Sequence, residues 1–421
     1  MKEKTQAWVV TITTSLFLFY IFIQMNLFNT MNVQLRSVFQ LDAMQLGQLF
    51  SMFFYSHSLM LFFAGSLLDR FSMRKLLLIA VSIATAGTFI FAFSATYWVA
   101  AAGRFLTGAG AAFCFLSCIR VASRWFPPQK MAFVTGVVVT IAMIGGLVAQ
   151  TPFALLVDYC GLREALFVNA FLGLVVLLAI FLIVQDRPAS TEDNALLEQA
   201  HLKSLGLWRC LKLAAGNRQN WFGGFYTTLL NLPVFIIGGL WGILYLTEVH
   251  HLTTVQASYA TTVFFIGVIL GSLIFGWLSD AIAQRVLPMK IGAVLSLIVM
   301  LLLMYLPGLS LWSIMLLLFL IGFVTSSQVL TYPTIAELNP RYLTSTALSI
   351  GSICIMASGF IFPPLFGWLM EHLGKHTVVD GVTVYTADNL QHAMWMMPIA
   401  FIVGLIITRY MQETFCRSLK E

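Results

Sequence analysis

A few polar side chains stand inside long apolar runs, where each costs a few kcal/mol unless it meets a partner or water. Arg104 follows Gly103 in a run otherwise dominated by Ala, Gly, Phe and Leu. No acid shares the interior of such a run: all 17 carboxylates, Asp42, Glu248 and Glu337 included, fall in polar segments or at run ends. A guanidinium so placed either binds an anionic group or pins helices through backbone carbonyls. Arg120 is a second cationic candidate, although near a run end a long side chain can also reach back to water. His57, in Tyr55-Ser56-His57-Ser58, sits mid-run and is the one group there whose ordinary titration lies near neutrality. It is the candidate for taking up and releasing a proton; the other reading is a neutral imidazole hydrogen-bonded to a neighbouring helix.

Neutral polar candidates surround these. Tyr20 and Gln24 are four apart and share a helical face, with Asn26 and Asn29 further along. Gln150 sits near the end of its run. Tyr226 and Asn231 precede Pro233 and the Gly238-Gly239 pair, a combination that either breaks a helix beside a water-filled cavity or merely kinks it. Gln328 ends the hydroxyl-rich Thr325-Ser326-Ser327-Gln328; hydroxyls there can also bond to their own helix. Catalysis is not indicated, because no nucleophile, base or metal set converges on the lone His57, and no cofactor is implied. Six cysteines form neither a disulfide framework nor a CxxC pattern and read as packing residues.

The elements that hold these residues follow from composition. Charged residues are 10% of the chain and hydrophobic ones 59%, too little charge to cover a water-soluble domain of this size. The cations, net +6, are not clustered with aromatics as nucleic-acid sites are. A membrane-crossing helix takes about 20 apolar residues. Twelve such runs occur, at roughly 8–30, 46–68, 76–94, 97–123, 131–157, 163–185, 221–247, 254–280, 286–307, 309–335, 341–370 and 390–412. With the N-terminus placed inside, segments on that side hold 19 Lys and Arg residues, whereas the outside holds Arg36, Arg163 and Lys375. By the positive-inside rule both termini are expected in the cytoplasm.

Residues 186–220 form the longest polar segment and divide six runs from six. They are read as a cytoplasmic linker between an N-terminal bundle, 1–185, and a C-terminal bundle, 221–421. The part from 196 to 213 is either an amphipathic surface helix or an ordinary tether. The two halves repeat one another: Gly65-x-Leu67-x-Asp69 returns as Gly276-x-Leu278-x-Asp280, 211 residues later, and the pairs Pro128/Pro340 and Pro152/Pro364 are each 212 apart. Gly65 and Gly276 would permit close helix approach, and the charges after the first, Asp69, Arg70, Arg74 and Lys75, belong in a turn that cannot enter lipid.

The first of these blocks, Gly65-Ser-Leu67-Leu-Asp69-Arg70-Phe-Ser72-Met-Arg74-Lys75, resembles the signature loop between helices two and three of the major facilitator superfamily, with Ser72 where the family usually has glycine. Gly103-Arg104-Phe-Leu-Thr107-Gly108-Ala-Gly110-Ala111-Ala112 is similar to its fourth-helix motif. The segment Arg124-Trp125-Phe126-Pro127-Pro128-Gln129-Lys130 looks like the loop of the organic-anion and sugar-acid branch. Gly145-Gly146 lacks the Gly-Pro pair of drug antiporters. The resemblance implies an all-α integral membrane fold of twelve transmembrane helices in two pseudo-symmetric six-helix bundles, with a binding site at the midplane between them. It also implies a conformational latch at Gly65, Asp69, Arg70, Arg74 and Lys75, echoed at Gly276 and Asp280, with Glu337 and Arg341 as a corresponding acid and base pair.

The expectation is a secondary transporter working by alternating access, proton-coupled through His57. Its cargo would be a small anionic or zwitterionic solute, such as an organic acid or amino acid, held by Tyr20, Gln24, Arg104, Arg120, Gln150, Tyr226, Asn231 and Gln328. No Gly-x-x-x-x-Gly-Lys-Ser/Thr loop marks an ATP-driven pump. An exporter of a polycarboxylate metabolite, a siderophore or drugs, and more remotely a membrane-embedded enzyme or a sensor, remain as alternatives. The chain is expected in a bacterial inner membrane, as a monomer, with a small molecule, H+ and the bilayer as partners and no nucleic acid.

Overall fold

The computed structural model describes residues 2–70, 72–126, 131–185, 207–340, 343–373, 376–379 and 382–417. Twelve segments are long and apolar enough to cross a membrane: Thr5–Asn26, Ala43–Ala64, Met73–Phe93, Tyr97–Val121, Gly136–Cys160, Leu162–Ile183, Arg218–Leu240, Thr254–Ile282, Val286–Tyr305, Leu311–Glu337, Thr346–His372 and Ala387–Ile407, numbered here spans 1 to 12. They are the twelve expected, with shifted ends. Span 1 stops at Asn26, before the expected residue 30, because a separate helix, Phe28–Phe39, begins there. Large apolar side chains such as Trp98, Trp277 and Trp312 are at least 70% exposed. Such exposure fits a chain solvated by lipid rather than water. The chain is a multi-pass membrane protein.

Five spans are interrupted, span 12 between Ala387–Met394 and Met396–Ile407 among them, and the sequence explains most of the breaks. Span 5 turns at Ala149-Gln150 because Pro152, at the start of helix Thr151–Cys160, has no N–H to continue the ladder. Span 7 runs as helix Arg218–Leu230, then a π-helical stretch Val234–Leu240 after Pro233, and leads into helix Gly242–His250. The sequence left a broken and a kinked helix open; the structure has the break. Span 10 passes through a 3-10 turn at Ser326–Leu330, where hydroxyls bond to the carbonyls of their own turn. Span 4 divides between Tyr97–Ala111 and Cys114–Trp125. By contrast, Pro363 and Pro364 lie inside one continuous helix, Thr344–His372, so the Pro152/Pro364 repeat does not produce the same local structure.

The all-α expectation gains one exception. Strands His376–Val379 and Val382–Tyr385 pair antiparallel, with Val379 opposite Val382. The Asp-Gly between two β-branched runs was the available signal. In the expected linker, a helix occupies Leu207–Gly216; residues 186–206 lie outside the described residues.

The chain forms two compact units. One holds spans 1 to 6 together with Ile237–Thr262 and Gly359–His392; the other holds the earlier part of span 7, Val263–Ser358 and the chain from Ala393 onward. In the first unit, the Gly and Ala ladder of span 4 sets its closest helix approaches. A Cβ on Gly103 would lie 2.7 Å from the carbonyl oxygen of Gly87 on span 3, and one on Gly108 would overlap the Phe53 carbonyl of span 2. Only hydrogen fits at either contact. Arg104 is thereby held beside span 2.

Candidate functional site

Arg104 is 1% exposed. Its Nη1 donates to the Gln24 carbonyl oxygen of span 1 at 2.9 Å. Its Cζ lies 4.5 Å from the Phe28 ring centroid and 5.1 Å from that of Phe53, within cation–π range of both. The two readings of this arginine, carbonyl pin and anion contact, are therefore not exclusive. One nitrogen pins span 1, while Nε and Nη2 have no hydrogen-bond partner among the described residues. Those two N–H groups lie along one edge of the guanidinium, the geometry that takes two oxygens of one oxyanion.

Two further unpartnered polar atoms lie on the same helices. Gln24, whose backbone holds Arg104, has a buried side-chain nitrogen, Nε2, without a partner. His57 is 8% exposed, its ring stands 5.8 Å from Phe53, and its Nδ1 is likewise unpartnered. Phe53 thus touches both the cation and the imidazole. Its place was legible in the sequence, one helical turn before His57, but an apolar residue in an apolar run carries no chemical flag.

Other expected contacts are committed elsewhere. The Tyr20 hydroxyl donates to Thr88 Oγ1 at 2.7 Å, which ties span 1 to span 3. Gln150 accepts from Asn29 Nδ2 at 3.0 Å and donates to the Gly238 carbonyl at 2.9 Å. Asn29 also donates to the Ile237 carbonyl and accepts from the Ile243 N–H, both at 2.9 Å, while Asn32 donates to the Leu240 carbonyl at 2.8 Å. These amides satisfy backbone groups that the broken helix leaves open. Gln150 and Asn29 form a clamp on that segment. Arg120 is half-buried and engaged in contacts of its own.

At one end of the first unit, spans 2 and 11 are sealed by backbone. Glu371 accepts from the Met44 N–H at 2.9 Å, and the Tyr385 hydroxyl accepts from the Ala43 N–H at 2.9 Å, so the start of span 2 is capped by residues more than 300 positions away. Burial and the nearby Glu371 carboxylate raise the Tyr385 hydroxyl to about 12, which keeps it a neutral phenol under ordinary conditions.

The second unit places Tyr226, Asn231 and Gln328 in a closed network. Gln328 donates to Asn231 Oδ1 at 2.6 Å and accepts from Thr227 at 2.7 Å. Tyr226 donates to the Met289 carbonyl at 2.8 Å and lies 3.1 Å from Ser327 Oγ.

The Major Facilitator Superfamily profile matches residues 13–238 and 224–414. The chain belongs to this superfamily. Among relatives, a "Probable hexose phosphate transport protein" of Chlamydia trachomatis is 24% identical over 306 residues, 68% of this chain and 67% of that one. A "Probable sulfoacetate transporter SauU" of Cupriavidus necator is 24% identical over 359 residues, 81% of this chain and 82% of the relative. The crystal structure of a D-xylose-proton symporter shares the fold with a TM-score of 0.77 at 14% identity, covering 98% of this chain and 99% of that one.

Of the signature-loop residues of this superfamily member, Gly65, Asp69 and Arg70 have side chains outside the described set, although helix Ala43–Arg70 runs through all three. Arg74 donates to the Phe181 carbonyl at 2.7 Å, pinning span 3 to the end of span 6. Lys75 is exposed, and its backbone N–H is capped by Ser72 at 3.3 Å. The serine at the family's glycine position therefore serves as a helix N-cap.

The second-half copy packs differently from the close approach expected at Gly276. Gly276 has no atom within 4 Å of where a Cβ would sit, so no close helix approach depends on it in this structure. Glu337 pairs with Arg285 at 2.8 Å; Arg341, the partner expected for it, lies outside the described residues. Arg285 also pairs with Asp280 at 2.6 Å, and Glu413 caps its backbone N–H and that of Val286. Burial disfavours the Arg285 charge, but bonding to Glu337 and Asp280 outweighs it and raises its pKa. The missed signal was the repeat itself: Arg285 follows Arg74 by the same 211 positions that separate Asp69 from Asp280.

Proposed function

We propose that the chain is a secondary active transporter that carries a small anionic or zwitterionic solute, such as an organic acid or amino acid, by alternating access and in symport with protons. The observation that carries this reading is Arg104. It is a buried cation in a membrane span whose two-donor edge has no partner among the described residues, so an anion arriving there gains charge-assisted bonds that none of those side chains supplies. The relatives' names, hexose phosphate and sulfoacetate, are both of anions and point the same way. Coupling is assigned to His57, whose imidazole shares Phe53 with the arginine and has a free Nδ1.

The charge distribution supports a bacterial inner-membrane orientation with both termini cytoplasmic. In that orientation the Asn29–Gln150 clamp and the capped start of span 2 lie toward the outside, and they must open for solute to enter from there. The signature loop with Asp69 and Arg70 acts as the opposing cytoplasmic latch, a bias on a two-state equilibrium rather than a binding element. The working unit is the monomer.

The test is a thermal-shift screen of detergent-solubilised protein against organic acids, amino acids, sugar acids and neutral sugars, followed by uptake into proteoliposomes under an imposed pH gradient. Binding to the native state raises apparent stability. Anionic solutes that stabilise wild type and fail to stabilise Arg104→Ala support the reading. Stabilisation by neutral sugars alone, unchanged in Arg104→Ala, overturns it. For coupling, a His57→Gln protein that still concentrates solute along the pH gradient removes His57 from the proton path.

A further inference from the structure

Resting on the anion-carrier reading, we infer that the group bound at Arg104 carries a single negative charge: a carboxylate, sulfonate or sulfate-ester end, and not the dianion of a phosphate ester.

The argument starts from what the site can neutralise. Among the described residues three cations are buried, Arg36, Arg104 and Arg285. Arg285 is matched by Asp280 and Glu337, and Arg36 lies against the Tyr385 ring in a segment outside the spans. Arg104 is the remaining one, and it lies within a span. Arg120, on the same span, is sixteen positions along; at about 1.5 Å per residue that is roughly 24 Å, beyond the reach of one headgroup.

Two further orphaned groups belong to residues linked to Arg104: the amide N–H of Gln24 Nε2, whose residue holds the arginine through its backbone carbonyl, and the imidazole Nδ1 of His57, whose ring lies against the same Phe53. As dipoles they add hydrogen bonds without adding a full charge. A monoanion on the Nε/Nη2 edge therefore brings the buried guanidinium to neutrality, and Gln24, whose carbonyl holds Arg104, has an unpartnered side-chain N–H that can serve a remaining oxygen. A dianion would leave one negative charge desolvated among Phe28, Phe53 and the helix backbones, which a low-dielectric interior penalises steeply. The aromatic pair serves both ends of this argument, since it favours the cation and offers nothing to excess negative charge.

This separates the chain from what one relative's name says of that relative, a hexose phosphate carrier. A site for a phosphate dianion calls for a second cation or a proton taken up with the substrate; the charge seen around Arg104 matches one ionised oxygen set.

Matched probes test it with the skeleton held to a single carbon. Methyl sulfate is a tetrahedral monoanion; methyl phosphate has the same shape and is almost wholly a dianion at pH 8, two units above its second ionisation at about 6. Thermal stabilisation of the purified wild-type protein is titrated with each at pH 8 and constant ionic strength, alongside acetate and methanesulfonate. The expected result is half-maximal stabilisation by methyl phosphate at about tenfold or more the concentration needed for methyl sulfate, with acetate and methanesulfonate grouping with the sulfate. Equal potency of the two esters, both lost in Arg104→Ala, overturns the single-charge inference and leaves the anion-carrier reading standing. Probes that shift wild type and Arg104→Ala alike, or shift neither, overturn both. The ester comparison is made within wild type, so it stands even if Arg104→Ala does not fold; Gln24→Leu then serves as the second variant, expected to weaken methyl sulfate binding severalfold without altering the preference between esters.

Discussion

The Arg104 cluster and the Asn231–Gln328 network draw on similar side chains in similar settings and end in opposite conditions. Both are polar groups buried in apolar helices, flagged by the same physical cost. In the second, each side-chain bond is answered: Gln328 meets Asn231 and Thr227, and Tyr226 meets Met289 and Ser327. In the first, Arg104 Nε and Nη2, Gln24 Nε2 and His57 Nδ1 are left over. A buried network with every member satisfied rigidifies its helices. Orphaned donors in a membrane interior are a liability that a ligand removes. The difference separates packing polarity from binding polarity, which composition alone does not.

If that distinction is right, substitutions in the two regions should damage different properties. Arg104→Ala should reduce solute uptake per folded molecule about 100-fold, the loss expected of two charge-assisted hydrogen bonds, while the Tm of the ligand-free protein moves little, because removing an unmatched buried charge offsets the lost pin to the Gln24 carbonyl and the lost packing on Phe28 and Phe53. A collapse in Tm with uptake per folded molecule retained would reverse the assignment. Asn231→Ala should do the converse, lowering stability by about 1–3 kcal/mol as Gln328 loses its acceptor, with uptake per folded molecule changed by less than about threefold. Chemical denaturation and initial-rate uptake on the same preparations read both quantities.

Smaller effects sharpen the picture. Gln150→Leu removes one clamp contact from the π-helical stretch, and hydrogen exchange should quicken in residues 234–243 by about tenfold, equivalent to about 1.4 kcal/mol of local stability. No change there would make the clamp incidental. The least effect is expected at Gly276→Ala, where the added methyl meets open space; stability should move by no more than about 0.5 kcal/mol. Gly108→Ala is its contrast, since there the methyl would collide with the Phe53 carbonyl, separating spans 2 and 4 and lowering uptake along with stability. Equal behaviour of the two alanines would remove the role given to span 4's glycine ladder.

Much of the fold was legible because a helix across lipid must be long and apolar whatever its neighbours are, so the twelve spans could be counted from local composition. Span ends were less legible. A run may continue into a separate helix, as Phe28–Phe39 does after span 1, without losing its apolar character. Arg104 and His57 stood out because charge and imidazole are rare at that depth. Phe28 and Phe53 did not, and neither did the capping of Ala43 and Met44 by Tyr385 and Glu371, because nothing near either end of such a contact announces the other.

Repetition proved a guide to charge but not to packing. The 211-residue offset places Arg285 as the counterpart of Arg74, yet Arg74 bonds to a backbone carbonyl while Arg285 pairs with two acids. Gly276 copies Gly65 in sequence and borders empty space. Duplicated residues keep their chemistry; their neighbours are supplied by whatever each helix later packs against.

By itself the sequence determined that this chain lives in a membrane, how many times it crosses, and that a cation and an imidazole are buried in the crossing, because those properties follow from solvation free energies that each residue carries with it. Which polar groups find partners was decided only by the tertiary structure. Gln150 and Gln24 are the same side chain in equally apolar runs, and one closes on Asn29 and Gly238 while the other keeps an open donor beside Arg104. Hydrogen bonds are short and directional, so their pairing depends on where distant helices come to rest to within an ångström, and no local pattern of residues encodes that.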